Sequence, residues 1–222
     1  KIHIPKLFEK VMEWDNLKWV ADRNPVAYKA VKSFAEDPRI VKAPLLFVKS
    51  GCGKSHLLWA AAHWLTELAA YILPSRWIGA ECEKFEEAKK KDVQFYKTEM
   101  PVVNVIISTG ADVAHQLRES VKDDRISAVV DRLSQKNLAT IDLLTYSPES
   151  YELIPVLILD DIEVMKMSDW LAEELYRIID HRYAEMMPTL MATNLSAEEL
   201  RGHLGDRITR RLLDMSNPIV MK

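Results

Sequence analysis

The sequence predicts an α/β fold in which a parallel sheet of five strands is covered by helices on both faces. Short apolar runs alternate along the chain with helical patterns, which is the order of strand–helix–strand units. The runs are apolar throughout instead of at every second position, and this is typical of a parallel sheet that is buried on both sides. Ligands of such sheets bind beyond the carboxyl ends of the strands.

The strands and helices can be assigned in chain order. Strands are predicted at 44–48, 102–107, 155–159, 189–193 and 218–221. Helices are predicted at 56–70, 112–122 and 169–182, and residues 197–213 are predicted to form one broken helix or two. Residues 123–152 are expected to hold a helix and then a loop, and residues 73–101 an exposed helical insertion.

The composition excludes several classes of protein. The 222 residues are 48% hydrophobic with a net charge of −3, so the chain can fill a core and is not a disordered protein. Cys52 and Cys82 are its two cysteines, which excludes a disulfide scaffold and predicts a cytoplasmic location. No apolar run reaches about 18 residues, so no membrane partner is expected. The mild acidity argues against a strongly basic nucleic-acid binder, but not against a local basic face.

A glycine-containing loop follows the first predicted strand. The chain has only six glycines, yet two of them lie together just before Lys54 and Ser55. Glycines let backbone N–H groups face a phosphate, and the next helix directs its positive N-terminal end to the same place. Lys54 is expected to reach the β- and γ-phosphates of a nucleotide, and Ser55 to bind Mg²⁺. The residues expected to hold the nucleotide are Ser50, Gly51, Cys52, Gly53, Lys54, Ser55 and His56.

This loop departs from the full Walker A pattern at one position. The pattern has a glycine where this chain has Val48, and valine does not readily adopt the left-handed backbone that glycine permits. The loop is therefore either a variant or lacks residues near Lys49. A chance turn of glycine, lysine and serine is the remaining alternative.

Two acids and an amide follow two other predicted strands. Asp160 is placed to bind Mg²⁺, because hard cations prefer oxygen ligands, and Asp161 to orient or deprotonate an attacking water. The side chain of Asn194 could contact both the γ-phosphate and that water. The alternative for all three is that they cap the helices that follow them.

Arginines occur on the last predicted helix. Arg207 and Arg211 are four residues apart and lie on one face, whereas Leu204, Ile208 and Leu212 form the apolar stripe. A guanidinium suits phosphate recognition and the charge that develops in phosphoryl transfer. An exposed helix with surface ion pairs is the alternative.

The order of these motifs resembles the AAA+ ATPases of bacterial replication initiation, and most closely the DnaC/DnaI-type helicase loaders. The resemblance covers about residues 12–221 and is most specific toward the C terminus. It is carried by Trp14–Leu17 with Asn24 and Ala27, Gly51–Leu58, Leu157–Ile162, Ile179–Tyr183, Pro188–Ser196 with Glu199 and Leu200, and Leu204–Leu212.

The resemblance implies a P-loop NTPase domain that binds ATP with Mg²⁺, hydrolyses it weakly alone, and places the replicative helicase on single-stranded DNA. It further implies that Asn194 is sensor 1, that Arg211 is the arginine finger with Arg207 as a second candidate, and that subunits associate on ATP binding. Helices between the second and third strands would contact DNA through Arg118, Lys122, Arg125, Arg132 and Lys136. As isolated basic residues, these are more typical of an ordinary surface.

We therefore expect residues 1–222 to form one AAA+ domain, with an N-terminal extension at 1–11, the insertion at 73–101, and no C-terminal helical lid. The missing lid favours a loader over a DnaA-type initiator. Two alternatives stay open, an IstB-like transposition helper with the same core, and a nucleotide-dependent assembly module that does not hydrolyse ATP.

Overall fold

The computed structural model describes residues 13–39, 42–49, 51–72, 102–135 and 153–222. The strands in these ranges are β1 (Ala43–Phe47), β2 (Val102–Thr109), β3 (Leu153–Asp160), β4 (Thr189–Thr193) and β5 (Ser216–Val220). They form a single parallel sheet with the spatial order β2-β3-β4-β1-β5. The predicted five-stranded parallel sheet is therefore confirmed.

Each helix predicted in the described ranges is present, within a few residues of its expected bounds where bounds were given, and two further helices that were not predicted precede β1. They are α1 (Lys18–Arg23), α2 (Pro25–Glu36), α3 (Lys54–Ile72), α4 (Gly110–Lys122), α5 (Ile126–Ser134), α6 (Asp169–Ala184), α7 (Ala197–Leu204) and α8 (Asp206–Met215). Two short 3₁₀ helices, Trp14–Leu17 and Ile162–Val164, complete the described elements. The segment predicted as one broken helix or two is two helices, separated at Gly205, whose φ is +85°. Within the described ranges, no helix is both long and apolar enough to cross a membrane.

Two apolar cores lie on opposite faces of the sheet. Successive side chains of a strand point to opposite faces, so in β1 Leu46 joins one core whereas Leu45 and Phe47 join the other. The first core lies under α2 and α3, and the second under α4 to α8. Because helices cover both faces of the sheet, both sets of alternating side chains are buried, and this explains the unbroken apolar runs of the strands.

The register of the sheet brings the carboxyl ends of three strands together. Phe47 of β1 lies opposite Thr193 of β4, and Leu159 of β3 lies opposite Met191 of β4. The residues that follow these strands therefore share one edge of the sheet. This edge carries Lys54, Asp160 and Asn194, beyond the carboxyl ends of the strands where ligands of parallel sheets bind.

The helix-cap alternatives for the predicted site residues are wrong. Ser196 caps α7 together with Glu199, so Asn194 is not that cap. Ser168 caps α6 by accepting a hydrogen bond from the Leu171 N–H, and the side chain of Asp161 caps nothing. The polar side chains at these strand ends thus have no part in starting the helices.

Several predictions concern residues outside the described part of the chain. They are the N-terminal extension at 1–11, the helical insertion at 73–101, the loop after α5, and the contributions of Ser50 and Lys136.

Candidate nucleotide-binding site

The described part of the loop between β1 and α3 is shaped by two glycines. Gly51 and Gly53 have φ values of +88° and +89°, a conformation that side chains disfavour. A Cβ atom on Gly53 would also lie 2.6 Å from Val20 and 2.8 Å from Trp19. Gly53 is therefore required both by the backbone and by the close approach of the N-terminal helices, and half-buried Cys52 lies between the two glycines.

Val48 is accommodated without strain at the place of the first Walker A glycine. Its side chain is buried in the core, and its N–H donates to the carbonyl of Thr193 at 3.0 Å. Val48 is not among the described residues with a left-handed backbone. Val48 thus bonds to β4 one residue beyond the end of β1 without a left-handed backbone, so the loop does not need a glycine there.

Lys54 joins the loop to the two predicted acids. Its ammonium donates to Asp160 Oδ1 at 3.3 Å and to Asp161 Oδ1. The side chains of Lys54 and Asp160 are only 9% and 6% exposed, whereas that of Asp161 is 36% exposed. The buried pair is therefore anchored in the fold, and Asp161 faces the solvent side of the cluster.

Burial and charge act in opposite directions on this pair. Burial alone would lower the pKa of Lys54, but its hydrogen bond to Asp161 and the charges of both acids outweigh burial and raise that pKa. Burial raises the pKa of Asp160, and the Ser55 hydroxyl and the Lys54 charge offset only part of this effect. Lys54 is therefore positively charged at neutral pH, which suits a phosphate ligand.

The turn after β3 sets the direction of Asp161. Asp161 has φ +47° and ψ +49°, and its N–H donates to Asp160 Oδ1 at 2.9 Å. The first residue of α4 packs on this turn so closely that a Cβ on Gly110 would lie 2.6 Å from the Asp161 carbonyl oxygen. The two acids thus point to the same site from a backbone that α4 supports.

Asn194 reaches the same cluster from the end of β4. Its side-chain nitrogen lies 3.4 Å from Asp161 Oδ1 and also donates to Glu163 Oε1. Glu163 further accepts from the Asn194 backbone N–H at 3.0 Å and from the Thr193 hydroxyl at 2.8 Å. Sequence reasoning missed Glu163, although it is the third acid in the four residues after Leu159.

His56 lies in the first turn of α3 and contacts α1. Its ring meets the edge of Trp19 with 5.6 Å between ring centroids. Burial lowers the pKa of His56, so its imidazole is neutral at pH 7. Trp19 and His56 thus flank Gly53 on the side of α1.

The two predicted arginines of α8 differ in their surroundings. Arg211 donates from Nε to Asp180 Oδ1 at 2.6 Å, and its guanidinium lies 4.6 Å from the ring centroid of Tyr176. The ring of Tyr183 contacts the same group at 5.7 Å. Arg207 is exposed on the same helix. The structure thus fixes Arg211 on α6 of its own chain, through an acid that the sequence analysis did not single out.

The basic residues expected at a DNA surface lie on α4, α5 and the turn between them. All four described ones are exposed, and each bonds to a neighbour: Arg118 to the Lys166 carbonyl, Lys122 to Glu119, Arg125 to Asp123, and Arg132 to Gln116. Exposed contacts of this kind are weak, so they leave the basic groups able to change partners.

The described residues fit a nucleotide with magnesium. The Ser55 hydroxyl hydrogen-bonds the Asp160 carboxylate, so two oxygen ligands of the type Mg²⁺ prefers are adjacent. Lys54 supplies a positive charge beside them, and the left-handed Gly51 and Gly53 precede the N terminus of a 19-residue helix.

The chain is similar to known replication proteins. No known protein family matched the chain in a scan of family patterns. The replicative helicase loader DnaI of Bacillus subtilis is 27% identical over 123 residues, which are 49% of this chain and 40% of DnaI. The chain therefore spans less than half of that relative.

Solved structures of replication proteins share the fold. The DnaC helicase loader superposes with a TM-score of 0.55 at 18% identity, covering 92% of this chain and 99% of DnaC. AMPPCP-bound DnaA from Aquifex aeolicus superposes with a TM-score of 0.57 at 19% identity, covering 90% of this chain and 47% of DnaA. The predicted fold class is confirmed by these similarities: the chain has the AAA+ P-loop NTPase fold and resembles the DnaC/DnaI-type helicase loaders.

Proposed function

We propose that this protein is an ATP-dependent helicase loader, which binds and hydrolyses ATP and acts on the replicative helicase and single-stranded DNA. The observation that carries the proposal is the meeting of Lys54, Asp160, Asp161 and Asn194 at one edge of the sheet. These residues follow three different strands and are up to 140 positions apart, so the fold and not local sequence brings them together. The similarity to the replicative helicase loader DnaI supports the choice of the helicase as partner.

Each residue of the cluster has a role in this proposal. The loop around Gly51 and Gly53 and the N terminus of α3 would bind the phosphates, and Lys54 would exchange its contact with Asp161 for a phosphate oxygen. Ser55 and Asp160 would hold Mg²⁺, which neutralises phosphate charge when bound. Asp161, freed from Lys54, would orient and accept a proton from the attacking water, beside the amide of Asn194.

Hydrolysis would depend on assembly if a second copy supplies Arg211. The guanidinium is fixed on α6 by Asp180, so it could be presented as a rigid group to the phosphates of a neighbouring subunit. Self-association on ATP binding is part of the proposal for this reason. Single-stranded DNA would contact the exposed basic residues of α4 and α5, with a strong dependence on salt.

The alternatives differ in partner or in turnover. An IstB-like transposition helper would share the whole site and differ in its client. A module that binds without hydrolysis was suggested by Val48, but this residue is buried and has no left-handed backbone, which removes the reason to expect a damaged loop.

The test is nucleotide binding and turnover, measured with and without single-stranded DNA, for the parent and for Lys54→Ala. We expect the parent to bind ATP and to hydrolyse it faster with DNA, and Lys54→Ala to lose binding. Lys29→Ala, which removes an exposed lysine of α2, is the matched control. A Lys54→Ala variant that binds ATP as the parent does would contradict the site, and a parent that binds without turnover would favour the assembly module.

The client is tested by capture of the replicative helicase of the same organism on the immobilised protein, with ATP and with ADP. We expect nucleotide-dependent capture. Capture of a transposase and not of the helicase would favour the transposition helper.

A further inference from the structure

We infer that Glu163 is a positioning residue that holds the Asn194 amide where it can distinguish a nucleoside triphosphate from a diphosphate. The inference rests on the proposed nucleotide site. Glu163 follows Asp161 by two residues, in the 3₁₀ helix Ile162–Val164. Its carboxylate therefore lies between the acids at the end of β3 and the amide at the end of β4.

Within the described part of the chain, the side-chain hydrogen bonds of Glu163 are all with the end of β4. Oε2 accepts from the Thr193 hydroxyl at 2.8 Å, while Oε1 accepts from the Asn194 backbone N–H at 3.0 Å and from the Asn194 side-chain amide. A carboxylate has about four acceptor positions, so one side chain can satisfy all three donors. Thr193 is fully buried, and Glu163 is therefore anchored on a rigid strand end.

Asn194 needs such an anchor because its own side chain is exposed. An exposed asparagine populates several rotamers, and each added rotamer lowers the fraction of time that its amide faces a ligand. Glu163 bonds both the backbone and the side chain of Asn194, which selects one rotamer. In that rotamer the amide nitrogen lies 3.4 Å from Asp161 Oδ1, at the solvent side of the cluster.

The fixed orientation of the Asn194 amide suits a hydrogen bond to the terminal phosphate of a nucleoside triphosphate. An amide nitrogen has two hydrogens, and one is bonded to Glu163 while the other faces Asp161. A triphosphate that draws Lys54 away from Asp161 would place an oxygen near that second hydrogen. A diphosphate has no phosphate that would reach the Asn194 amide. Glu163 should therefore affect the binding of triphosphates and not that of diphosphates.

The experiment compares the affinities of ADP and the non-hydrolysable analogue AMPPCP, both with magnesium, by calorimetry. For Glu163→Ala we expect ADP affinity to stay within about twofold and AMPPCP affinity to fall about tenfold, the loss of a hydrogen bond to a charged group. Asn194→Ala should give the same pattern. Because the two residues act as one unit, the double variant should lose no more than Asn194→Ala alone.

Glu199→Gln is the control, since Glu199 is an acid in the first turn of α7, close in the chain to Asn194, and its side chain accepts from the Ser196 N–H at 2.7 Å. It should leave the ratio of the two affinities unchanged. Losses in Glu163→Ala and Asn194→Ala that multiply in the double variant would overturn the inference, as would an equal loss of ADP binding in Glu163→Ala. A parent that binds neither nucleotide would instead refute the proposed function.

Discussion

The ammonium of Lys54 lies 3.3 Å from Asp160 Oδ1, although the two residues are separated by 106 positions in the chain. Both side chains are more than nine-tenths buried, so their opposite charges are shielded from water together. A buried pair of this kind adds little stability relative to apolar residues, but loss of one partner leaves an uncompensated charge. The pair therefore makes the folded state sensitive to the charge of Asp160.

We predict that Lys54→Met destabilises the nucleotide-free protein more at pH 8 than at pH 5. Burial already raises the pKa of Asp160, and removal of the lysine charge raises it further. An acid whose pKa is raised by folding binds a proton more readily in the folded state, so its contribution to stability falls as pH rises. Urea unfolding at both pH values should show a cost of about 3 kcal/mol at pH 8 and less at pH 5.

Asp160→Asn added to Lys54→Met is the control for this effect. The double variant lacks both charges, so its loss of stability should be nearly the same at the two pH values. A Lys54→Met variant whose cost does not change with pH would show that Asp160 does not carry the effect.

We predict that Arg182→Met lowers the free energy of unfolding by about 3–5 kcal/mol, because several buried acceptors lose their donor. Arg182 is fully buried, and burial lowers its pKa to about 9. Its guanidinium donates to neutral acceptors, among them the Thr189 hydroxyl and the carbonyls of Pro155 and Pro188. Arg177→Met, at a 46% exposed side chain of the same helix, should cost less than about 1 kcal/mol in the same unfolding experiment. Equal losses of unfolding free energy in Arg182→Met and Arg177→Met would contradict the role of the buried hydrogen bonds of Arg182.

The sheet could be predicted from the sequence because its signal is local. A strand buried on both faces is an unbroken apolar run, so β4 was predicted at the residues where it occurs, and β1 within one residue at each end. The phosphate loop and the two acids were identified because they follow such runs directly. The edge on which they meet follows from the parallel topology alone.

Glu163 and Asp180 could not be found in the same way. Each acts through a residue of another element, Asn194 in one case and Arg211 in the other, and such pairings depend on packing that no local pattern records. Val48 is the opposite case, because the sequence predicted a problem there that the structure does not contain. The sequence predicted a conflict with a left-handed backbone, but Val48 does not adopt that backbone and its N–H bonds to the Thr193 carbonyl.

We predict that Gly110→Ala impairs hydrolysis more than nucleotide binding and lowers stability by about 1–3 kcal/mol. An added Cβ would lie 2.6 Å from the Asp161 carbonyl oxygen and 2.9 Å from the Ile162 Cα, both backbone atoms that cannot rotate away. The turn that directs Asp161 must shift, while Lys54 and the phosphate loop are held by other elements. Thermal unfolding, ADP affinity and ATP turnover measure the three effects.

Gly202→Ala is the matched control for Gly110→Ala. Gly202 lies in α7, and a Cβ there would meet nothing within 4 Å. Replacing a helical glycine with alanine in open space stabilises a helix by about 0.5–1 kcal/mol, so this variant should be slightly more stable and fully active. A Gly110→Ala variant that behaves the same way would show that α4 does not support the Asp161 turn.

We predict that Arg211→Ala leaves nucleotide affinity within about twofold and lowers ATP turnover of the assembled protein about tenfold or more. Its ion pair with Asp180 is partly exposed, with side chains 26% and 43% accessible, so stability should change by less than about 1 kcal/mol. Arg210→Ala removes a neighbouring arginine that is 78% exposed and should leave turnover unchanged.

Mixing two inactive variants tests whether Arg211 acts on a neighbouring copy. Arg211→Ala retains the complete cluster of Lys54, Asp160 and Asp161 but lacks the guanidinium, whereas Asp161→Asn retains Arg211 and lacks the acid that faces the water. If the arginine acts between subunits, a mixture forms interfaces that contain both, and turnover rises above that of either variant alone. A mixture that assembles like the parent but gains no turnover would place the role of Arg211 within its own subunit, where Asp180 and Tyr176 hold it.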